Sequence, residues 1–152
     1  MRTIEAADGH VVIQLHPDDD VLSSINSAID EHGIDAGTVL SGIGSLKVLR
    51  TSTIVEYESF PDVPSPGEEA TREIHSEMPW EVGSLQGAIV DSEPHLHIMV
   101  YNAEEDRTVA GHLHEGSITE TLMEIVVQPI KGIDATRQLE EDGVPRISPR
   151  DK

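Results

Sequence analysis

The sequence predicts an α+β domain in which a mostly antiparallel β-sheet is covered by one helix. One stretch, residues 18–32, repeats apolar residues at helical spacing, and the rest of the chain is divided into short segments rich in β-branched residues. A chain of 152 residues is long enough for one domain with a full core and too short for two comfortable ones. A single helix with a run of strands and short connections is typical of this fold class.

The helix prediction depends on both of its ends. Asp18, Asp19 and Asp20 supply N-cap candidates and negative charge where a helix begins, and Gly33 follows as a stop. Between them the apolar positions fall on one face, which predicts that this face packs on the sheet. These positions are Val21, Leu22, Ile25, Ala28 and Ile29.

Seven further segments predict strands, and the connections between them are short. The segments are residues 10–15, 38–40, 46–57, 71–76, 80–90, 94–114 as a hairpin, and 117–128. Gly42 and Gly44 lie between the second and the third of these segments and predict a sharp turn or a close backbone contact. A phosphate-binding turn is disfavoured, because no third glycine and no helical pattern follow.

The remaining segments predict loop and tail. Residues 59–70, with Pro61, Pro64 and Pro66, predict a surface loop. We expect residues 1–130 to form the domain and residues 131–152 to form a polar C-terminal tail that is flexible or bound to a partner.

The charge of the chain limits which functions the sequence supports. The chain has 29 acidic and 10 basic residues, and residues 1–130 hold 24 of the acidic and five of the basic ones. So large an acidic excess with little lysine resembles halophilic proteins, and an ordinary acidic cytosolic protein is the alternative. Either interpretation disfavours DNA binding, which normally depends on Lys and Arg displacing counterions from phosphates.

The sequence does not indicate a protein that depends on cysteine, or one that is membrane-spanning or secreted. The chain has no cysteine, so disulfide frameworks, thiolate metal sites and cysteine nucleophiles are excluded. No apolar run approaches the roughly 20 residues of a membrane span, and Met1 to Glu5 lacks the apolar core of a secretory signal. We therefore expect a cytoplasmic protein without a membrane contact.

The histidines of the 94–114 hairpin are the strongest functional signal. If the hairpin folds symmetrically about Glu104 and Glu105, His97 faces His112 and His95 faces His114. Side chains alternate across a strand, and opposed Cβ atoms lie roughly 4.5–5.5 Å apart, so four imidazoles would converge on one face. Neutral imidazole is the commonest metal ligand, and three histidines with an open position are a known zinc arrangement.

Two alternatives accompany this interpretation. A His-x-His pair on a strand is often only a half-exposed polar face, and a one-residue bulge would turn one strand's histidines to the other side. Cupins also carry His-x-His on a strand, but their pattern needs a glutamate four or five residues later. Here those positions are Tyr101 and Asn102, so a cupin is disfavoured.

An ordered set of motifs resembles the plants-and-prokaryotes-conserved (PPC) domain family. The matching segments cover about residues 5–130 and keep the family's order and spacing. Ala110 departs from it, since the family usually has a second glycine there. The segments are Ser41-Gly42-Ile43-Gly44-Ser45-Leu46, Glu81-Val82-Gly83-Ser84-Leu85-Gln86-Gly87, Pro94-His95-Leu96-His97 and Ala110-Gly111-His112-Leu113, followed by Gly116 and Glu124-Ile125.

The resemblance implies a homotrimer that binds a divalent metal, with zinc the leading candidate, through His95, His97 and His112. His114 lies outside the family pattern. Plant members carry an AT-hook before this domain, and this chain has no such element, so the family's DNA-binding names transfer poorly. The first hypothesis is therefore a metal-binding module with a regulatory or DNA-associated role, acting on an unidentified protein or small-molecule partner.

The alternative hypothesis is a zinc-dependent lyase or hydrolase acting on a small carbonyl or carboxylate substrate. The fold that the resemblance implies is similar to that of acetolactate decarboxylase, a zinc enzyme with a His-x-His pair. A reaction would need a proton carrier near the metal. The candidates by strand placement are Glu81, Glu120 and Glu124, with Arg72 and Arg107 as candidate anion anchors.

Overall fold

A computed structural model of the chain describes residues 1–60, 62 and 67–150. In this part of the chain, one α-helix and one short 3-10 helix accompany ten β-strands. The helix α1 is Val21–His32 and the 3-10 turn is Glu68–Ala70. The strands are β1 Arg2–Glu5, β2 Val11–Leu15, β3 Ala36–Ile54, β4 Thr71–Ser76, β5 Trp80–Val90, β6 Glu93–Asn102, β7 Arg107–Leu113, β8 Ile118–Pro129, β9 Ala135–Leu139 and β10 Pro145–Pro149.

Eight strands form one antiparallel sheet, which confirms the predicted fold class. The order is β1-β2-β8-β3-β5-β6-β7, with β4 paired to β3. Strand β3 is 19 residues long, and its end pairs with β7 as well as β4, at Thr51 with Leu113 and Ser52 with His112. Strands β3, β5, β6 and β7 therefore close into a ring.

The helix lies where its caps place it. The Asp20 side chain accepts a hydrogen bond from the backbone N–H of Ser23 at 2.9 Å, and Gly33 ends the helix in the left-handed conformation at φ 59°. The helix thus begins at Val21, three residues after the first predicted position, because Asp20 is the aspartate that caps it. Its apolar face is buried in the core, as predicted.

Strand β3 corrects the prediction around the two glycines. Residues 41–45 do not turn sharply: the strand continues through them with register shifts against β8. The close backbone contact is confirmed. Gly44 has φ 147°, and a Cβ atom there would overlap the carbonyl oxygen of Leu122. Glycine at this position lets two long strands approach where the sheet bends.

Two hairpins join β5 to β6 and β6 to β7, and the sequence predicted the register of the second. Asp91 and Ser92 both have positive φ, 59° and 60°, and form the two-residue turn that joins β5 to β6. In the next hairpin, His97 is paired with His112 and Asn102 with Arg107, as the symmetric folding predicts.

One face of the sheet and the helix enclose the core. Trp80 is 1% exposed, and Leu46, Leu49 and Leu85 are fully buried. The outer face of the same sheet carries exposed apolar side chains. These include Ile4, Val12, Leu40, Ile43, Met99 and Leu122. Among the residues that the structure describes, no helix is long and apolar enough to cross a membrane.

The C-terminal segment, expected to be a flexible tail, folds into the hairpin β9–β10. The Arg150 guanidinium donates to the Asp91 carboxylate at 2.7 Å, and the Thr136 hydroxyl donates to the same carboxylate at 2.8 Å. These contacts fix the hairpin against the β5–β6 turn. Of the predicted loop at residues 59–70, Pro61, Pro64 and Pro66 lie outside the described residues.

Candidate metal centre

Three histidines on the outer face of the sheet form a compact group of nitrogen donors. His95 and His97 lie on β6 and His112 on β7, and one ring nitrogen from each lies within 4.8 Å of the other two. The Nε2 atoms of His95 and His97 are 3.3 Å apart. The ring centroids of His112 lie 4.9 Å from His95 and 5.7 Å from His97. The predicted convergence on one face is therefore observed for three imidazoles.

Two glycines make this arrangement sterically possible. A Cβ atom on Gly87 would overlap the carbonyl oxygen of His95, and one on Gly111 would overlap the carbonyl oxygen of Ser52. Gly87 also has φ 156°, in the region that favours glycine. The first glycine lets β5 approach the backbone that carries His95, and the second lets β7 pair with both β6 and β3.

His114 differs from the prediction that it faces His95. Strand β7 ends at Leu113, and the backbone N–H of His114 donates to the carbonyl oxygen of Arg50 at 3.1 Å. Its Nε2 lies 2.8 Å from the Ser52 hydroxyl. Its ring stays 5.0 Å from that of His112 but does not belong to the group of three donors. His114 is thus a neighbour of the cluster that is held by β3.

Burial and neighbouring positive charge lower the pKa values of two of the three imidazoles. For His112, partial burial is the largest cause, followed by His95, His114 and His97, and its pKa falls to about 4. For His95, burial again comes first, and the positive charge of Arg137 and then His97 add to it. Both rings are therefore neutral near pH 7, the state in which a ring nitrogen can bind a metal.

Two grooves flank the cluster. One, of about 520 Å³, is lined by His95, His97, strands β3 and β5, and the C-terminal hairpin, which contributes Arg137 and Ile147. The other, of about 570 Å³, lies between β6, β7 and the end of β3 and includes all three histidines. The histidines thus face open space on both sides.

The predicted proton carriers lie elsewhere. Glu81, Glu120 and Glu124 are exposed, and none of them lines either groove. Glu73 and Glu115, which the sequence did not single out, line a third cavity together with His112 and His114. Within the described residues, no carboxylate lines a groove that holds the whole cluster.

The two predicted anion anchors have other positions. Arg107 pairs with Asn102 at the base of the β6–β7 loop and lies 3.8 Å from the carboxylate of Glu105, so it closes the loop. Arg72 lies on β4, opposite Thr53. The arginine beside the cluster is Arg137. It was missed because residues 131–152 have little apolar content and no motif that relates them to the histidines.

The donor set suits a divalent transition metal. Three imidazole nitrogens without thiolate are the ligands of known zinc sites, in which Zn–N distances are about 2.0–2.1 Å. His95 and His97 are exposed and His112 is half-buried, and these three side chains would hold the ion. Nitrogen ligands alone suit zinc, nickel, copper and iron.

Comparisons with known proteins agree with the fold. A chain from Bacteroides thetaiotaomicron described as a "putative dna binding protein" has a TM-score of 0.78 at 20% identity, covering 97% of this chain and 96% of that one. A plant- and prokaryote-conserved protein from Pyrococcus horikoshii has a TM-score of 0.73 at 22% identity, covering 99% and 97%. A metal-containing protein from Archaeoglobus fulgidus has a TM-score of 0.69 at 20% identity, covering 94% of each chain.

The match to a family is a separate finding. No curated protein sequence matches the chain. The family profile described as the Plants and Prokaryotes Conserved (PCC) domain matches residues 2–131. This is the family that the sequence motifs resemble under the abbreviation PPC. The chain therefore belongs to the Plants and Prokaryotes Conserved (PCC) domain family.

Proposed function

We propose that the protein is a metal-binding module whose His95, His97 and His112 hold a divalent cation, with zinc the best candidate. The observation that carries the proposal is the approach of three imidazole nitrogens to within 4.8 Å on one exposed face. The metal-containing relative from Archaeoglobus fulgidus supports it. A bound zinc ion would act there as a Lewis acid towards an oxygen ligand at its open position.

The proposed assembly is a homotrimer that is stable in concentrated salt. The apolar side chains of the outer face supply area that subunits can bury, including Leu40 at 51% and Ile43 at 50% exposure. A net charge of −19 on each chain makes subunits repel one another at low ionic strength, and salt screens that repulsion. Light scattering should give three times the chain mass in molar salt, and a monomer at both low and molar salt would contradict the proposal.

A binding module is favoured over the alternative lyase or hydrolase. Proton transfer needs an acid or base within reach of the substrate. The carboxylates of Glu73 and Glu115 line a cavity with His112 and His114, which includes neither His95 nor His97. The hypothesis of catalysis retains one favourable observation, the open grooves on both sides of the histidines.

A regulatory role through DNA is the part of the family proposal that charge opposes. The name of the Bacteroides relative favours it. Residues 1–130 of this chain, however, contain 24 acidic and five basic residues, whereas phosphate contacts need clustered Lys and Arg. We therefore propose that any regulatory role operates through a protein or small-molecule partner of this cytoplasmic module.

Elemental analysis of protein purified without an affinity tag or added metal tests the proposal. We expect one zinc or another divalent ion per chain, and none in the His97→Ala variant. The matched control is His75→Ala, which removes an exposed histidine on β4 that lies outside the cluster. Full metal content in the His97→Ala variant would refute the assignment.

A further inference from the structure

Arg137 stands apart from the other arginines of the C-terminal hairpin. Arg146 binds the carboxylate of Asp142 with both of its terminal nitrogens, and Arg150 donates to Asp91. Arg137 is half-buried, and its Nη2 atom is fully covered yet has no hydrogen-bond partner among the described residues. Protein atoms cover Nη2 itself, but the Arg137 side chain as a whole is only half-buried, and among the described residues it has no carboxylate partner. Its positive charge is therefore available to an anionic ligand.

Arg137 lies on the groove that contains His95 and His97. Arg137 and Ile147 from the hairpin line the cavity of about 520 Å³ together with His95 and His97. The hairpin therefore adds a positive charge to a metal site in a chain whose net charge is −19.

The rest of the groove defines what could occupy it. Its floor is apolar, with Val39 and Ala88 from the sheet and Ile147 from the hairpin. The one threonine that lines it, Thr38, already donates its hydroxyl hydrogen to the carbonyl oxygen of Gly87 at 2.9 Å. A ligand would therefore meet the Arg137 cation, apolar walls, the side chain of Gln86 and the imidazoles of His95 and His97. The exposed part of the guanidinium can donate a charge-assisted hydrogen bond to a carboxylate.

We propose that this groove binds a small carboxylate with a short apolar body, its carboxylate held by Arg137 and its other end directed at the histidine cluster. The inference rests on the proposed function in one respect, that a metal at the cluster would face the same ligand. The contact with Arg137 itself requires no metal. The family match ends at residue 131, so the anchor lies on the part of the chain beyond it.

Calorimetric titration with butyrate tests the proposal, in a buffer of low chloride, on both metal-free and zinc-loaded full-length protein. We expect saturable binding to the wild type and about tenfold weaker binding to Arg137→Gln, because one charge-assisted pair contributes about that factor. Butyramide, which has the same shape without the charge, should not bind. Arg146→Gln is the matched control on the same hairpin and should bind butyrate like the wild type.

Further arms separate the possible failures. Arg137→Lys keeps the positive charge but replaces the guanidinium with an ammonium group, and we expect intermediate affinity for butyrate. A thermal melt of each variant checks that the hairpin change leaves the domain folded. Equal butyrate affinity in wild type and Arg137→Gln, or no binding to the wild type, would overturn the inference. So would binding of inorganic phosphate in place of butyrate, since the proposal names a carboxylate.

Metal content reports on the proposed function separately. Arg137→Gln should retain one metal ion per chain, because Arg137 is not a ligand. Metal uptake without a difference in butyrate affinity would leave the metal module intact and remove the carboxylate site. Absence of metal from the wild type, with butyrate binding that depends on Arg137, would refute the metal module and leave the carboxylate site intact.

Discussion

The two faces of strand β6 carry different kinds of side chain. Leu96, Ile98 and Val100 are each 1% exposed and point into the core, whereas His95 and His97 alternate with them on the exposed face. The same ten residues thus carry buried apolar side chains on one side and two of the three proposed metal donors on the other. Because side chains alternate strictly, a change on one face should leave the other largely intact.

The difference explains why this sheet can hold a site at its surface. The donors need rotational freedom and access, and the core needs dense packing that fixes the backbone beneath them. The glycines Gly87 and Gly111 belong to neither face: they set how closely the strands approach. Predictions for stability and for metal binding should therefore separate by face, except at those glycines.

The largest effect is expected for Gly87→Ala, because Gly87 belongs to neither face of the sheet and sets how closely the strands approach. The new Cβ would overlap a backbone carbonyl oxygen of β6, which cannot move without breaking the pairing of β5 with β6. We expect a loss of about 3 kcal/mol or more in the free energy of unfolding, together with weaker metal binding. The control is Gly83→Ala on the same strand, where a Cβ atom meets nothing within 4 Å. Equal denaturation midpoints for the two variants would contradict the account.

A core change should reduce stability while leaving the site in place. Ile98→Ala removes fully buried methyl groups directly after His97 on the same strand, and we expect a loss of about 2–5 kcal/mol in urea denaturation. Its neighbour Met99 is 47% exposed, and Met99→Ala should change stability by no more than about 0.5 kcal/mol. Folded Ile98→Ala should still bind one metal ion per chain. Loss of metal from the folded variant would show that the faces are not independent.

A change on the outer face should do the opposite. In metal-free protein His97→Gln is expected to alter the free energy of unfolding by no more than about 0.5 kcal/mol. Zinc at 100 times its dissociation constant should stabilise the wild type by about 2.7 kcal/mol and this variant hardly at all. Thermal melts with and without zinc measure both quantities, and an equal zinc-dependent shift in the two proteins would count against the site.

The last effect is the pH dependence that His112 gives to metal-free protein. Its pKa is about 4 in the fold against an ordinary value of 6.5, because burial and the neighbouring imidazoles disfavour the charged ring. As pH falls from 6.5 to about 4, the unfolded chain takes up this proton and the folded chain does not. Stability is therefore complete above pH 6.5 and declines across this window. His112→Gln should flatten that part of the curve, and an unchanged curve would contradict the assigned cause.

Local patterns made much of this molecule predictable. Alternation along β6 and β7, with turn residues between them, specified the register that pairs His97 with His112. The helix followed from its capping aspartate and its apolar spacing. In each case the determining interactions lie within a few residues of the chain, where periodicity and turn chemistry act directly.

The parts that were missed depend on contacts distant in sequence. The continuous path of β3 through Gly44 is set by β8, and the position of His114 is set by Ser52 on β3. Arg137 reaches the histidines because Arg150 and Thr136 bind the turn at Asp91. No local pattern around residue 137 encodes that docking.

The most direct test of the central claim, that three imidazoles hold one cation on the outer face, is X-ray absorption spectroscopy of zinc-loaded protein. We predict imidazole scattering from three nitrogens at about 2.0–2.1 Å and one further light ligand, with the imidazole signal lost in His97→Ala. A spectrum dominated by carboxylate oxygens, or one that is unchanged in the variant, would contradict the account.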